Sequence, residues 1–222
     1  RSITKNLNYV NKMQIPFYPN TGDGTHCWQA ALKMALKYFE PEKDFSYEEL
    51  DEITAKQAGK WTWPTAGMLW LLERGYQLKL FSNFDYQKFA DRGGDYIIEQ
   101  YGEEIGRAQI ENSDIEHELQ FTKKFISLAP LQDKLPDFTD LEKFLQVGWV
   151  IICNINSAAL HWRPGYSGHF IVLCEVSADE VVLHDPGLPA REYFRVSRAS
   201  FQKAWAYPSE QDKNLLAIKK PA

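Results

Sequence analysis

Cys27 stands where a predicted helix begins, ahead of the apolar stripe of that helix. The turn-rich segment NTGDGTH, residues 20–26, ends directly before it, and from Trp28 onward apolar residues recur at i, i+3, i+4 and i+7. We expect Asp23 or Thr25 to cap the free N–H groups of the first turn. A thiol at a helix N-terminus faces the positive end of the helix dipole, which favours the thiolate. The position therefore predicts a nucleophilic cysteine, with simple packing as the alternative.

A thiolate nucleophile also needs an imidazole base and a group that orients the imidazole. His169 begins the strand-like run HFIVLCEV, and Asp185 ends the next run, EVVLHD. If the two strands pair directly across a hairpin centred on Ser177, both side chains lie on one face of the sheet and His184 lies on the other. This pattern predicts a triad with Cys27. The alternatives are that His169 only caps a strand and that Asp185, before a Pro-Gly pair, only forms a turn.

The remaining cysteines, Cys153 and Cys174, lie in strand-like apolar runs, which favours packing. Three cysteines without a CxxC pair indicate neither a disulfide framework nor a zinc site. The sequence also has no HExxH motif, no cluster of carboxylates and no glycine-rich phosphate loop. We therefore expect no metal and no cofactor.

Composition narrows the functional class further. The net charge is −5 and no basic patch is visible, which argues against nucleic-acid binding. No apolar run approaches the roughly 18 residues that a membrane helix needs. No signal-peptide pattern opens the sequence, although it begins at Arg1 without a methionine. We expect a cytoplasmic protein without a membrane segment.

The elements that must position these residues fall into two groups. Capping boxes predict helix starts at Ser46, with Glu49, and at Thr139, with Glu142. The first half of the chain is predicted to be helical apart from the short strand YQLKLFS. The second half holds one short helix, RASFQKAWA, and five predicted strands, WVIICNIN, HFIVLCEV, EVVLHD, REYFRV and NLLAIKK. Helices followed by an antiparallel sheet indicate an α+β class. We expect one domain over residues 1–222, with a helical lobe over about 1–136 and a β lobe over about 137–222.

Several of these segments together resemble a known family. IPFYPN, HCWQAALKMAL, DLEKFLQVGWVIICNI, GHFIVLCEV and EVVLHDPG occur in the order found in papain-like cysteine peptidases. The resemblance is to the stand-alone relatives of bacteriocin-processing (double-glycine leader) peptidases, and it covers roughly residues 14–39 and 139–219. His169 follows Cys27 by 142 residues, within the range of about 130–150 for a papain-type nucleophile and its histidine. The resemblance implies a papain-like fold with an active-site cleft between the two lobes.

The resemblance also implies a role for each residue. Cys27 is the nucleophile, His169 the general base and acid, and Asp185 the orienting carboxylate. The family places a side-chain amide, usually Gln, a few residues before the nucleophile, where it forms the oxyanion hole together with the N–H of the cysteine. Asn20 occupies that position in this sequence, and it is one carbon shorter than Gln.

Four further residues are candidates for contact with substrate. Trp28 follows the nucleophile where the leader peptidases usually have Gly. Trp61 and Trp63, in the loop KWTWPTAG, can wall a cleft, or they can fasten helices to the core. His161, in the loop HWRPGYSG, either touches substrate or is solvated.

These features together predict a cysteine hydrolase that cleaves a peptide or related amide bond through a thioester acyl-enzyme. The implied partner is a peptide or protein substrate. An acyl transferase would use the same residues with an amine in place of water. A papain-like binding module of weak or absent activity is the other alternative, and Asn20 in place of Gln is the feature that favours it. The sequence does not indicate an oligomeric state.

Overall fold

The computed structural model describes residues 12–221. Within them lie nine α-helices and six strands, labelled in chain order. The helices are α1 (Cys27–Phe39), α2 (Tyr47–Thr54), α3 (Thr65–Glu73), α4 (Tyr86–Arg92), α5 (Gly94–Asn112), α6 (Ile115–Phe125), α7 (Phe138–Gln146), α8 (Ser157–Leu160) and α9 (Arg198–Trp205). The strands are β1 (Gln77–Phe81), β2 (Val150–Asn156), β3 (Gly168–Val176), β4 (Glu180–Asp185), β5 (Arg191–Ser197) and β6 (Leu215–Lys219). The predicted α+β class is confirmed.

One antiparallel sheet joins all six strands in the order β1-β6-β2-β3-β4-β5. Strand β1 belongs to the helical half of the chain, yet it pairs with β6 at the other end, with Leu80 opposite Leu216. The sheet therefore crosses the division at residue 136 that the sequence suggests. The single-domain organisation with two lobes stays a prediction.

The apolar core lies where the helices pack onto the sheet. The stripe of α1 is completely buried against β3, and Trp28 contacts Phe170 with ring centroids 5.0 Å apart. Burying apolar area in this way supplies most of the free energy that holds helices and sheet together. Helix α1 is thereby fixed on the strand that carries His169.

Capping explains where several helices begin. The box formed by Ser46 and Glu49 opens α2 as predicted. The box predicted at Thr139 is wrong, because α7 begins at Phe138 and its capping pair is Asp137 and Asp140, joined by two N–H···O bonds of 3.0 Å. Phe138 is drawn into the helix because its ring packs against two aromatic residues of α9, with ring centroids about 6 Å apart.

The pairing of β3 with β4 differs from the direct register predicted for the hairpin. Leu173 pairs with Leu183 and Val172 with His184, and a bulge follows before Glu175. The turn is centred between Ala178 and Asp179 rather than on Ser177, which shifts the pairing by three positions, and the one-residue bulge reduces the shift to two at the open end of the hairpin. A shift of two preserves the faces of a strand, so His169 and Asp185 still share a face, as diagonal neighbours.

None of the helices in the described part of the chain combines the length and the hydropathy that crossing a membrane requires.

Candidate active site

Cys27 is the first residue of α1 and is partly exposed. As a first helical residue it has a backbone N–H without an intrahelical partner. The predicted side-chain cap is wrong: Asp23 accepts hydrogen bonds from the N–H and the hydroxyl of Thr25, at 3.1 and 2.9 Å, and so closes the turn before the helix. The N-cap residue, His26, makes no side-chain cap. The N–H groups of the first turn are thus left for another acceptor.

The strand pairing brings the predicted base and orienting group together. His169 Nε2 lies 2.7 Å from Asp185 Oδ1, and both side chains are buried. The remaining oxygen contacts of this carboxylate include the N–H of Gly187, which donates to Oδ1 at 2.8 Å. With Nε2 engaged, Nδ1 is the nitrogen of His169 that is left for the cysteine. The ring and the Cys27 thiol are close enough to shift each other's pKa, and both line one cavity.

The electrostatics of the three groups favour an ion pair. Burial raises the pKa of Cys27, but the hydrogen bond and charge of His169 and the N–H groups of Phe170 and Trp28 outweigh it, so the pKa is lowered overall. Burial lowers the pKa of His169, whereas its hydrogen bonds to Asp185 and Cys27 raise it to about 10. A lowered thiol pKa beside a raised imidazole pKa favours a thiolate beside an imidazolium.

Asp185 keeps its charge in spite of its burial. Burial raises the pKa of the Asp185 carboxyl, but the hydrogen bond and charge of His169, the Gly187 N–H and the hydrogen bond of His161 lower it to about 2. A charged carboxylate with both oxygens bonded holds the imidazole of His169 in one orientation and stabilises its protonated form.

His161 occupies a place that the sequence did not indicate. Its Nε2 lies 2.7 Å from Asp185 Oδ2, and its ring stacks on Phe194 with centroids 5.6 Å apart. The ring nitrogen faces the carboxylate of the candidate triad, and the contact of His161 with substrate stays a prediction. His161 lies in a loop outside the strands that carry His169 and Asp185, so no pattern in the sequence indicated this contact.

Asn20 lies directly before the helix and is buried. Its Oδ1 accepts a 2.7 Å hydrogen bond from the N–H of His26, and its own N–H donates to the carbonyl of Pro186 at 2.8 Å. An amide has one acceptor and one donor end, so the bond to His26 turns the Nδ2 group away from that N–H. The segment carrying Asn20 is thus held between the start of α1 and the residue after Asp185.

The three tryptophans differ in their surroundings. Trp28 is 0% exposed, and a Cβ added at Gly67 would lie only 3.0 Å from its ring, so its side chain is packed in the core. It also lines a cavity beside Cys27, and its contact with substrate stays a prediction. Trp61 and Trp63 are partly buried and line a cavity. Trp63 is also fixed from behind, because it stacks on Phe89 and donates from Nε1 to a serine at 2.9 Å.

The other cysteines and His184 are core residues. Burial raises the pKa of Cys153, and it raises that of Cys174 to about 12, so both remain thiols at neutral pH. His184 lies on the opposite face from His169 and is 0% exposed. Its Nδ1 accepts from the N–H of Tyr193 at 3.1 Å and its Nε2 faces the carbonyl of Ile15 at 2.9 Å. Both ring nitrogens of His184 are therefore occupied by hydrogen bonds to backbone groups.

A cavity of about 270 Å³ opens beside Cys27 and His169, between the helices and the sheet. Aromatic and polar side chains both form its wall. The aromatic residues that line it are Trp28, Trp61, Trp63, Phe84, Tyr86, Tyr101, Tyr166, Phe170 and Tyr207. They come from distant parts of the chain, so the sequence indicated only Trp28 and the two tryptophans of one loop. We call this space the aromatic cavity.

The fold resembles that of a solved peptidase domain. The likeness is to the peptidase domain of Streptococcus ComA, a bifunctional ABC transporter involved in a quorum sensing pathway. The two share 11% sequence identity with a TM-score of 0.49, and the match covers 92% of this chain and 98% of that domain. No family model matches the sequence, and no curated protein matches it. At this identity and score the likeness supports no conclusion about function.

Proposed function

We propose that this protein is a papain-like cysteine hydrolase that cleaves a peptide or related amide bond. The observation that carries the proposal is the hydrogen-bonded pair of Asp185 and His169 beside Cys27, with Cys27 and His169 lining one cavity. The pKa shifts have the directions that such chemistry needs: lowered at the thiol, raised at the imidazole and lowered at the carboxyl. If the buried His169 and Asp185 served only for packing, they would not need a partly exposed thiol, that of Cys27, beside them.

In the first step the Cys27 thiolate attacks the scissile carbonyl carbon, an Sγ–C bond forms, and the carbonyl oxygen becomes an oxyanion. The unpaired N–H of Cys27 is the first donor to that oxyanion, and the Asn20 amide is the second. The C–N bond then breaks, and the proton carried by the His169 imidazolium passes to the leaving amine.

In the second step the neutral His169 takes a proton from water, and the hydroxide equivalent attacks the thioester carbon. The Sγ–C bond breaks, the acid is released, and Cys27 and His169 return to the thiolate and imidazolium. Asp185 stays charged throughout and holds the imidazole. An amine in place of water would give acyl transfer by the same steps.

A peptide-library cleavage screen tests the proposal, with the wild-type protein compared against Cys27→Ala and read out by mass spectrometry. The expected result is a set of cleaved peptides that is absent with the variant, together with a mass shift on Cys27 when the reaction is quenched in acid. Products that persist with Cys27→Ala contradict the proposal. A thioester on Cys27 that is discharged only by added amines would instead assign acyl transfer.

A further inference from the structure

The aromatic cavity is partly open to solvent and has room for a side chain. An engineered apolar cavity of about 150 Å³ is enough to bind benzene, and this cavity holds about 270 Å³. It reaches from Cys27 and His169 to Ile105 on α5 and Leu216 on β6. Gly24, beside the nucleophile in the chain, is exposed and lies at its rim. A group attached to Cys27 can therefore enter from the reacting centre.

The charge of the lining restricts what can enter. Among residues 12–221, no Lys, Arg or Glu lines the cavity, and Asp212 is the one carboxylate that does. Asp212 is already paired, because it accepts hydrogen bonds from Gln100 at 3.2 Å and from the N–H of Ser209 at 3.1 Å. An anionic group that enters would lose its hydration without gaining a partner of opposite charge, which costs several kcal/mol. The lining therefore disfavours an anionic occupant.

Two tyrosines add a polar element without adding charge. Burial raises the pKa values of Tyr86 and Tyr101, so their hydroxyls stay protonated at any working pH. Within the described residues no hydrogen bond to a protein group contributes to the pKa shift of either tyrosine. Both residues line the cavity. An occupant with an apolar or aromatic body is thus favoured, and it can also present a neutral acceptor to these hydroxyls.

We propose that the aromatic cavity binds the acyl part of the substrate, and that the residue which donates the scissile carbonyl has a bulky, preferably aromatic side chain without a negative charge. The inference rests on the proposed function, since the acyl part is the portion that stays attached to Cys27 Sγ between the two chemical steps. The leaving amine departs after the first step and needs no enclosed site. The second cavity of the site, lined by His161, Asp185 and Arg191, does not include Cys27 and cannot hold an attached acyl group.

Chloromethyl ketones of N-acetylated amino acids test the proposal, because they place a chosen side chain where the acyl part lies. The thiolate forms an Sγ–C bond with the chloromethyl carbon, and the C–Cl bond breaks with release of chloride. We compare the glycine, phenylalanine and glutamate derivatives and measure alkylation of Cys27 by mass spectrometry. The phenylalanine compound is expected to react about 10- to 100-fold faster than the glycine compound, from burial of one aromatic side chain. The glutamate compound is expected to be no faster than glycine. Equal rates for phenylalanine and glycine, or a faster glutamate compound, overturn the proposal.

A pair of matched substitutions locates the effect. Ile105→Phe adds volume inside the cavity, whereas Leu128→Phe adds the same ring at a position that is 55% exposed. The phenylalanine-to-glycine rate ratio is expected to fall toward one in Ile105→Phe and to stay at the wild-type value in Leu128→Phe. An unchanged ratio in a folded Ile105→Phe protein overturns the proposal.

Iodoacetamide separates failure of the cavity proposal from failure of the proposed function. Fast labelling of Cys27 by iodoacetamide without selection among the ketones overturns the cavity proposal alone. Slow labelling of Cys27 by every reagent contradicts the proposed function, and the cavity proposal is then tested by a binding measurement. In that case, and also if Ile105→Phe does not fold, N-acetylphenylalaninamide and N-acetylglycinamide are titrated into the Cys27→Ala protein by NMR. Tighter binding of the phenylalanine amide supports an aromatic site, and equal binding overturns it.

Discussion

The carboxylate of Asp185 binds two imidazoles at once, through different oxygens. Oδ1 lies 2.7 Å from His169 Nε2, and Oδ2 lies 2.7 Å from His161 Nε2. The side chain of Asp185 is 1% exposed and that of His161 is 15% exposed. With both oxygens engaged, rotation of the carboxylate away from His169 would break a hydrogen bond to each histidine. We therefore expect His161 to act on the candidate triad through Asp185 as a positioning residue.

We expect His161→Ala to lower kcat/KM, or the rate of Cys27 alkylation, by about tenfold, the value of one charge-assisted hydrogen bond. Because the His161 hydrogen bond lowers the Asp185 pKa, its loss raises that pKa from about 2 toward its usual value. The acid limb of the alkylation profile should therefore move to higher pH, and His161→Gln should restore part of the rate. Trp162→Ala, at an exposed neighbour in the same loop, is the control. A lower rate with an unshifted acid limb would indicate a merely structural role.

Asn20 can be tested with a substitution that separates its two ends. Asn20→Asp keeps the oxygen that accepts from the His26 N–H but removes the Nδ2 donor, so folding should be retained. If Nδ2 contributes to the oxyanion hole, kcat should fall about 10²–10³-fold. Asn20→Gln, which restores the residue usual in the family that the sequence resembles, should be tolerated. Wild-type turnover in Asn20→Asp would assign the second oxyanion donor to another group.

Cys27 should be the most reactive thiol of the described chain. Its pKa is lowered by His169 and the N–H groups of Phe170 and Trp28, whereas burial raises the pKa values of Cys153 and Cys174. Labelling by iodoacetamide at pH 6, mapped by mass spectrometry, should modify Cys27 first. The rate should stay high through neutral pH and change again near pH 10, where His169 loses its proton. Equal or slower labelling of Cys27 would remove the catalytic assignment.

The two strand histidines should respond differently to the same substitution. His169→Gln removes the base and is expected to abolish turnover, with slower labelling of Cys27 at pH 6. His184→Gln lies on the other face of the sheet and is expected to spare both activities. Its amide can serve Ile15 and Tyr193 only in part, so unfolding should become easier by about 1–3 kcal/mol. Loss of turnover in a folded His184→Gln protein would contradict the assignment of His169.

His184 should also leave a signature in the pH dependence of stability. Burial lowers its pKa from 6.5, so below pH 6.5 the unfolded chain takes up a proton that the folded protein does not. Stability from this group is therefore present above pH 6.5 and is lost as the pH falls below it. Urea unfolding at pH 7 and pH 5 should show a smaller loss of stability in His184→Gln than in the wild type. Asp185 does not interfere, since its carboxyl titrates between about 2 and 3.8 in this comparison. An equal loss in both proteins would contradict a neutral, buried His184.

The sequence by itself determined the helix that begins at Cys27, the five strands of the second half and the α+β class. These features depend on local patterns: apolar periodicity, capping residues and alternation along a strand. It also determined that His169 and Asp185 share a face. That conclusion survived an incorrect register because a shift of two positions leaves strand parity unchanged.

Only the tertiary structure decided which distant segments meet. Strand β1 pairs with β6, Trp28 is buried in the core, and His161 contacts the second oxygen of Asp185. The aromatic cavity likewise combines side chains from helices, strands and loops. Such contacts depend on how whole elements pack, since the burial that fixes them is non-directional and leaves no periodic trace along the chain.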